Sequence, residues 1–242
     1  MDAACGSQSH HKVIFIDLDG TLVEFCIDYL EARREALKFL EKCPSLQGLK
    51  FTLNDSIFKM DREIKRSTKR SKKPEGFYHE IHERLLSILD NFEMQAAERT
   101  KLLPQVRETL EELRNMGLKL VLFTADGDRA MNAIADRTGI RDYFETLVSR
   151  GSSMEVKPHP NHITSAMSLV GSRPEESVVV GDSVADIASG KHVGATTVGV
   201  TSGLGTKQQL EEAGVDYVID SIAELPRLIK KIWDMPCQSK TR

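Results

Sequence analysis

Between residues 104 and 219 one arrangement recurs: a stretch with helical spacing of apolar residues, then a glycine, then a short apolar run. The glycines are Gly117, Gly139, Gly171, Gly194 and Gly214, and the runs after them cover 118–123, 146–148, 177–180, 196–200 and 217–219. Glycine adopts the left-handed conformation that stops a helix at little cost, so each recurrence marks a helix end. Helices alternating with short apolar runs require crossovers between parallel strands, which predicts an α/β fold built on a doubly wound parallel sheet. Pro104 suits the first turn of the opening helix. Thr206-x-x-Gln209 and Ser221-x-x-Glu224 have the spacing of capping boxes for the last two helices.

A sixth strand precedes this series. Val13-Ile14-Phe15-Ile16 is too short for a helix but suits a parallel strand covered on both faces. It ends in Asp17-Leu18-Asp19-Gly20-Thr21, at the carboxyl edge of the sheet, where open α/β folds place their ligands. Two carboxylates one residue apart repel each other, so the spacing points to a cation, to one raised pKa, or to both. A plain turn, with Asp and Gly serving backbone geometry, is the alternative.

Three helices with no strand pattern between them are inserted after this strand, at about 27–42, 54–70 and 75–91. The expected organisation is a core of residues 12–24 and 103–234, a helical insertion at 25–102, and flexible tails at 1–11 and 235–242. Residues 59–73 carry Lys59, Arg62, Lys65, Arg66, Lys69, Arg70, Lys72 and Lys73 against Asp61 and Glu63. Arg62, Lys65, Arg66 and Lys69 share a helical face, which is either a solvated basic surface or a reader of anionic groups.

Composition narrows the classes. A formal charge of -3 gives no whole-molecule reason to expect nucleic acid or an anionic membrane. Cys5, Cys26, Cys43 and Cys237 form no Cys-x-x-Cys pair, so reduced thiols and a cytoplasmic location are expected. No run approaches the roughly 18 apolar residues of a membrane span, and the first residues hold no apolar segment of a secretory leader. His10 and His11 fall in the expected tail. His79-x-x-His82 and His159-x-x-His162 have helix-face spacing without a third ligand, so exposed or capping histidines are expected.

Polar residues also end three of the later strands. The run at 118–123 passes into Thr124-Ala125-Asp126-Gly127, that at 146–148 is followed by Lys157-Pro158, and that at 177–180 enters Gly181-Asp182-Ser183-Val184-Ala185-Asp186. A hydroxyl, an ammonium and two more carboxylates are thereby expected at the same sheet edge as Asp17 and Asp19. In order and spacing these pieces resemble the haloacid dehalogenase superfamily. Asp17-Leu18-Asp19-Gly20-Thr21 corresponds to its first motif, Thr124 to its second, Lys157 to its third and Gly181-Asp182-(x)3-Asp186 to its fourth.

That resemblance implies a Rossmann-like core with a helical cap, nearest to the phosphoglycolate phosphatases and related enzymes. It implies Asp17 as nucleophile, forming an aspartyl-phosphate, and Asp19 as general acid and then base. It also implies Mg²⁺ held by the Asp17 carboxylate, the Asp19 carbonyl and the Asp182 carboxylate. Asp186 would orient a metal-bound water or Lys157, and Gly20, Thr21, Thr124, Ala125 and Lys157 would bind the phosphate. Ala125 stands where the family often has Asn, which alters substrate contacts more than core chemistry. Arg62, Lys65 and Lys69 are the expected substrate contacts of the cap. The implied reaction is hydrolysis of a small phosphorylated metabolite by a monomer or homodimer. Alternatives are a phosphoglucomutase-like transferase, a nucleotide, pyrophosphate or nucleic-acid-end phosphatase, and a non-catalytic phosphate-binding regulator. A dehalogenase does not need the acid/base that Asp19 supplies.

Overall fold

The apolar runs form a single six-stranded parallel sheet: β1 (Val13–Ile16), β2 (Lys119–Phe123), β3 (Thr146–Val148), β4 (Ser177–Gly181), β5 (Thr196–Val200) and β6 (Tyr217–Ile219). Their spatial order is β3-β2-β1-β4-β5-β6, all neighbours pairing in parallel. The chain builds outward from β1 through β2 to β3, then returns to lay β4 on the other side of β1. The crevice beyond the carboxyl ends of β1 and β4 is therefore the topological switch point, where such sheets bind ligands. The computed structural model describes residues 12–46, 48–152 and 155–234. The two expected tails, with Cys5, His10, His11 and Cys237, lie outside them.

Every residue of β1 is fully buried, as a strand covered on both faces requires. Val13, Phe15, Val121, Phe123, Val148 and Val179 join Ile163, Ala166 and Met167 of α6 (Pro160–Val170) in one apolar cluster. The remaining core helices are α4 (Val106–Asn115), α5 (Asp128–Thr138), α7 (Val184–Val193), α8 (Lys207–Glu212) and α9 (Leu225–Ile232). All five helix-ending glycines take positive φ, from 64° to 80°. Both expected capping boxes are present, but Ser221/Glu224 closes on a single 3-10 turn, Ile222–Glu224, that runs on into α9. Pro104 is not in a helix. Gln105, at φ 60°, is the N-cap, and α4 begins one residue later.

The chain divides into two units, one up to Phe25 and from Thr100 onward, the other Cys26–Arg99. The second consists of α1 (Tyr29–Glu41), α2 (Ile57–Arg70) and α3 (Glu75–Ala97) around its own apolar cluster, including Ala36, Met60, Ile64, Leu85 and Ile88. Asp28 caps α1 by accepting the Glu31 N–H at 3.0 Å, and Ser56 caps α2 by accepting that of Lys59 at 3.2 Å. The third helix runs six residues past the expected end at 91, because buried Ala96 and Ala97 continue its inward face without large side chains to mark it. Cys26 and Cys43 are free thiols. No helix among the described residues is long and apolar enough to cross a membrane.

In α7, Gly190 is a packing residue. A Cβ there would lie 2.5 Å from Thr197 Cγ2 and 3.2 Å from Val179 Cβ, so the helix sits against β4 and β5 at backbone distance. Gly190→Val is expected to destabilise the fold by about 1–3 kcal/mol through overpacking, read as a lower midpoint in denaturant melts; an unchanged midpoint would show that helix and sheet separate freely.

Candidate active site

The site begins where β1 stops. The Asp17 N–H donates to Val180 O at 2.9 Å, carrying the β1–β4 pairing one residue past the strand and fixing Asp17 at the switch point. The chain then turns tightly: Leu22 N–H and Val23 N–H both donate to Leu18 O, at 2.9 and 3.0 Å. Gly20, at φ 78°, permits this turn, and a Cβ there would lie 2.5 Å from Asp182 Oδ2.

Lys157 joins the strand ends. Its ammonium donates to Asp17 Oδ1 at 2.5 Å, to Asp186 Oδ1 at 2.7 Å and to the Phe123 carbonyl at 2.7 Å, and it lies 4.8 Å from the centre of the Phe123 ring. Only 7% of Lys157 is exposed. Burial works against its charge, but the Asp17 and Asp186 carboxylates outweigh that and hold its pKa above the ordinary value. Asp186 uses its other oxygen as a helix cap, accepting Ser183 N–H at 3.1 Å and the Ser183 hydroxyl at 2.6 Å. Both of its oxygens thus have protein donors.

Asp182 follows β4 and is 2% exposed. Its Oδ2 accepts the Leu204 N–H at 2.6 Å, and its carbonyl accepts the Gly205 N–H at 3.0 Å. Gly203 passes so close that any side chain there would collide with this carboxylate. The loop after β5 is thus folded around Asp182, and the Ser202 hydroxyl ties it to Gly20 O at 2.7 Å. Sequence reasoning missed this loop; its signal was Gly203 and Gly205 after a strand, where no helix ends.

Asp17, Asp182 and Asp186 offer oxygens that all lie within 4.8 Å of one another. Burial, then the charge of Asp186, raises the Asp182 pKa to about 6. Burial and the charges of Asp186 and Asp182 likewise push Asp17 well up, against the pull of Lys157. Burial is the larger cause, and a charge imbalance adds to it: three buried carboxylates face one buried ammonium. A divalent cation would close that difference of two, and hard carboxylate oxygens are its preferred donors, so the residues fit such an ion.

The other expected residues separate into groups. Asp19 is buried two residues beyond Asp17. Thr124 is held by its N–H on Val148 O at 2.9 Å, and its hydroxyl accepts the Asp126 N–H at 3.1 Å, which leaves the hydroxyl proton to donate. The Ala125 carbonyl accepts from the guanidinium of buried Arg150 at 2.9 Å. Gly20 and Thr21 do not present the phosphate donors expected of them. The Gly20 N–H is bonded to Val23 O and the Thr21 N–H to Leu18 O, while the Thr21 side chain is fully enclosed. Arg62 and Lys69 are exposed on α2 and Lys65 is half-buried, 5.9 Å from the Tyr78 ring centre.

Two histidines also depart from expectation. His82 is neither exposed nor capping; it is bonded to Asp61 at 2.9 Å and Tyr78 at 3.2 Å, tying α2 to α3. His162 is completely buried, whereas His159 caps α6 by accepting the Asn161 N–H at 3.2 Å.

The haloacid dehalogenase-like hydrolase family matches residues 11–194. The phosphoglycolate phosphatase of Chromobacterium violaceum is 30% identical over 223 residues, covering 91% of this chain and 97% of that protein. Pyrophosphatase PpaX of Bacillus mycoides is 29% identical over 156 residues, 64% of this chain and 66% of that protein. Among solved structures, a predicted phosphoglycolate phosphatase from Haemophilus somnus shares the fold, with TM-score 0.63 and 24% identity over 92% of this chain and 99% of that one.

The raised carboxylate pKa gives a test of the cation site. Asp182 titrates at about 6 in the folded protein against an ordinary 3.8, so its stabilising effect is complete below that ordinary value and lost as pH rises through about 6. A divalent cation acts in the opposite sense, binding the ionised cluster and competing with protons below pH 6. Saturating Mg²⁺ is expected to raise the melting temperature by several degrees near pH 7.5, from about 2–3 kcal/mol of binding linkage, and by much less near pH 5. Equal shifts at both pH values would mean the ion binds elsewhere.

Proposed function

Because the chain belongs to the haloacid dehalogenase-like hydrolases and, like its relatives, is a phosphatase, we propose that it hydrolyses a small phosphate monoester through an aspartyl-phosphate on Asp17, with Mg²⁺ as cofactor. The observation that supports this best is the shared ammonium: Lys157 is bonded to Asp17 and Asp186 at 2.5 and 2.7 Å, at the switch point, with Asp182 in the same cluster.

In this reading Asp17 attacks phosphorus, the bond to the leaving oxygen breaks, and Asp19 gives that oxygen its proton. Asp19 then takes a proton from water, which attacks phosphorus and frees Asp17 and inorganic phosphate. Lys157 favours the ionised form of Asp17, which a bound cation would favour further, and it sits where negative charge gathers on the phosphoryl oxygens. Thr124 donates its hydroxyl proton to the same group, and the Ala125 backbone completes the cradle. Asp17, Asp182 and the Asp19 carbonyl would hold Mg²⁺, which supplies charge neutralisation when bound. Asp186, with both oxygens already engaged, positions Lys157.

The substrate is a small metabolite carrying a second anionic group. Phosphoglycolate and pyrophosphate, the substrates in the relatives' names, both have one, and α2 offers Arg62, Lys65 and Lys69 as candidate partners.

Turnover of phosphoglycolate, pyrophosphate, sugar phosphates, nucleotides and an aryl phosphate, with and without Mg²⁺, ranks the substrates. Asp17→Asn should lower kcat at least about a thousandfold on the best of them, whereas turnover equal to the parent would remove Asp17 as nucleophile. Replacing Arg62, Lys65 and Lys69 together by Gln should raise KM roughly fivefold or more for a doubly anionic substrate while sparing the aryl phosphate. An equal change for both substrates would deny the basic face any part in selection.

A further inference from the structure

Five residues beyond Lys157, on the first turn of α6, His162 is fully buried and is not needed for any step above. Its Nδ1 accepts the Lys157 backbone N–H at 3.3 Å, so Nε2 carries the proton and donates it to Ser149 O at 2.9 Å. The ring packs on Phe123, with centroids 4.5 Å apart, and the Lys157 ammonium lies over that same Phe123 ring. Burial lowers the His162 pKa to about 4, so the ring is neutral under ordinary conditions and keeps one donor and one acceptor.

The Ser149 end of this bridge leads to the phosphate cradle. Val148 O accepts the Thr124 N–H at 2.9 Å, Arg150 N–H donates to Asp126 O at 2.7 Å, and the Arg150 guanidinium donates to Ala125 O. The Ser149 hydroxyl reaches Asp128 Oδ1 at 2.6 Å. Residues 148–150 are therefore laced along residues 124–128 by bonds at every step. The His162 side chain connects this lacing to the backbone of Lys157.

We propose that His162 is a positioning residue that sets the register between the Lys157 ammonium and the Thr124–Asp126 phosphate cradle, acting through the Lys157 N–H on one side and Ser149 O on the other. This rests on the phosphatase mechanism proposed above. An ammonium that must meet the Asp17 carboxylate and a phosphoryl group together tolerates little displacement, and its side chain is long. Fixing the backbone from which it springs is the economical way to aim it.

The two arms separate by substitution. Gln at 162 places its amide near the Nε2 position, keeping the bond to Ser149 and leaving the Lys157 N–H without its acceptor. Asn places its carbonyl near the Nδ1 position and does the reverse. On an aryl phosphate, His162→Gln is expected to lower kcat at least about tenfold and His162→Asn less than about threefold, with KM moving less than kcat in the Gln variant. In a Lys157→Met background, His162→Gln should add less than about a twofold further loss, because its effect runs through Lys157. If turnover there is too slow to read, the same cycle is measured by calorimetric binding of orthovanadate. Equal losses in the Gln and Asn variants, or a Gln loss undiminished in the Lys157→Met background, would reduce His162 to a packing residue. For variants that fail to fold, the wild-type imidazole nitrogen spectrum decides: an Nε2–H tautomer at neutral pH supports the bridge, and an Nδ1–H tautomer overturns it. Asp17→Asn run in parallel keeps the two ideas apart, since turnover retained there removes the mechanism, whereas equal His162 losses beside an inactive Asp17→Asn remove only the positioning role.

Discussion

The Lys157 ammonium, buried between Asp17, Asp186 and the Phe123 carbonyl, is the contact on which the catalytic unit depends. Removing one charge from water costs several kcal/mol, and attraction offsets this only when every donor and acceptor is satisfied. Here all three ammonium donors are used, and they reach the ends of three strands or the helix that follows: β1 through Asp17, β2 through Phe123 and α7 through Asp186. Loss of Lys157 would leave two carboxylates facing each other without a counter-charge. The sheet edge is held by the same bond that the proposed chemistry uses.

The order of the strands explains why these groups meet. A chain that builds outward from β1 and then returns must set β4 beside β1, so Asp17 and Asp182 emerge side by side although 165 positions separate them in the sequence. Gly20 and Gly203 complete the enclosure of Asp182 because backbone without a side chain is all that fits. The crowding that results raises the carboxylate pKa values. In stability terms the cluster is a strain that a bound cation would relieve, which would place the binding of the ion and the integrity of the switch point under one constraint.

Much of this was legible in the sequence, for identifiable reasons. Apolar runs and helix-ending glycines are local signals, so the six strands and the order of helices could be read directly. Asp17, Thr124 and Asp182 each follow directly on such a run, and a residue at a strand end inherits its position from the strand. Lys157 was legible only through the family resemblance, since it stands nine positions after Val148. What stayed hidden depends on three-dimensional packing. Nothing in the sequence near His162 says that α6 turns that face onto Phe123, and Gly203 gains its meaning only from an aspartate 21 residues earlier. Gly20 and Thr21 misled in the opposite direction: as motif members they suggest phosphate donors, yet the tight turn after β1 consumes their backbone N–H groups.

This asymmetry bears on where specificity and catalysis can vary. Residues at strand ends are fixed by the fold, and changing one would disturb the sheet as well as the proposed chemistry. The helical unit has an apolar cluster of its own, Met60, Ile64, Leu85 and Ile88 among its members, and its basic residues lie on the side of α2 away from that cluster. Exchanging an exposed cation there alters neither core, because surface positions without packing or special geometry carry little stability. Exposed cations on α2 can thus be exchanged while the Asp17–Lys157–Asp186 arrangement is left alone. The bridge through His162 lies between these extremes. It is buried and costly to alter, yet it touches only the aim of one side chain, so a change there is read in rate before it is read in substrate choice.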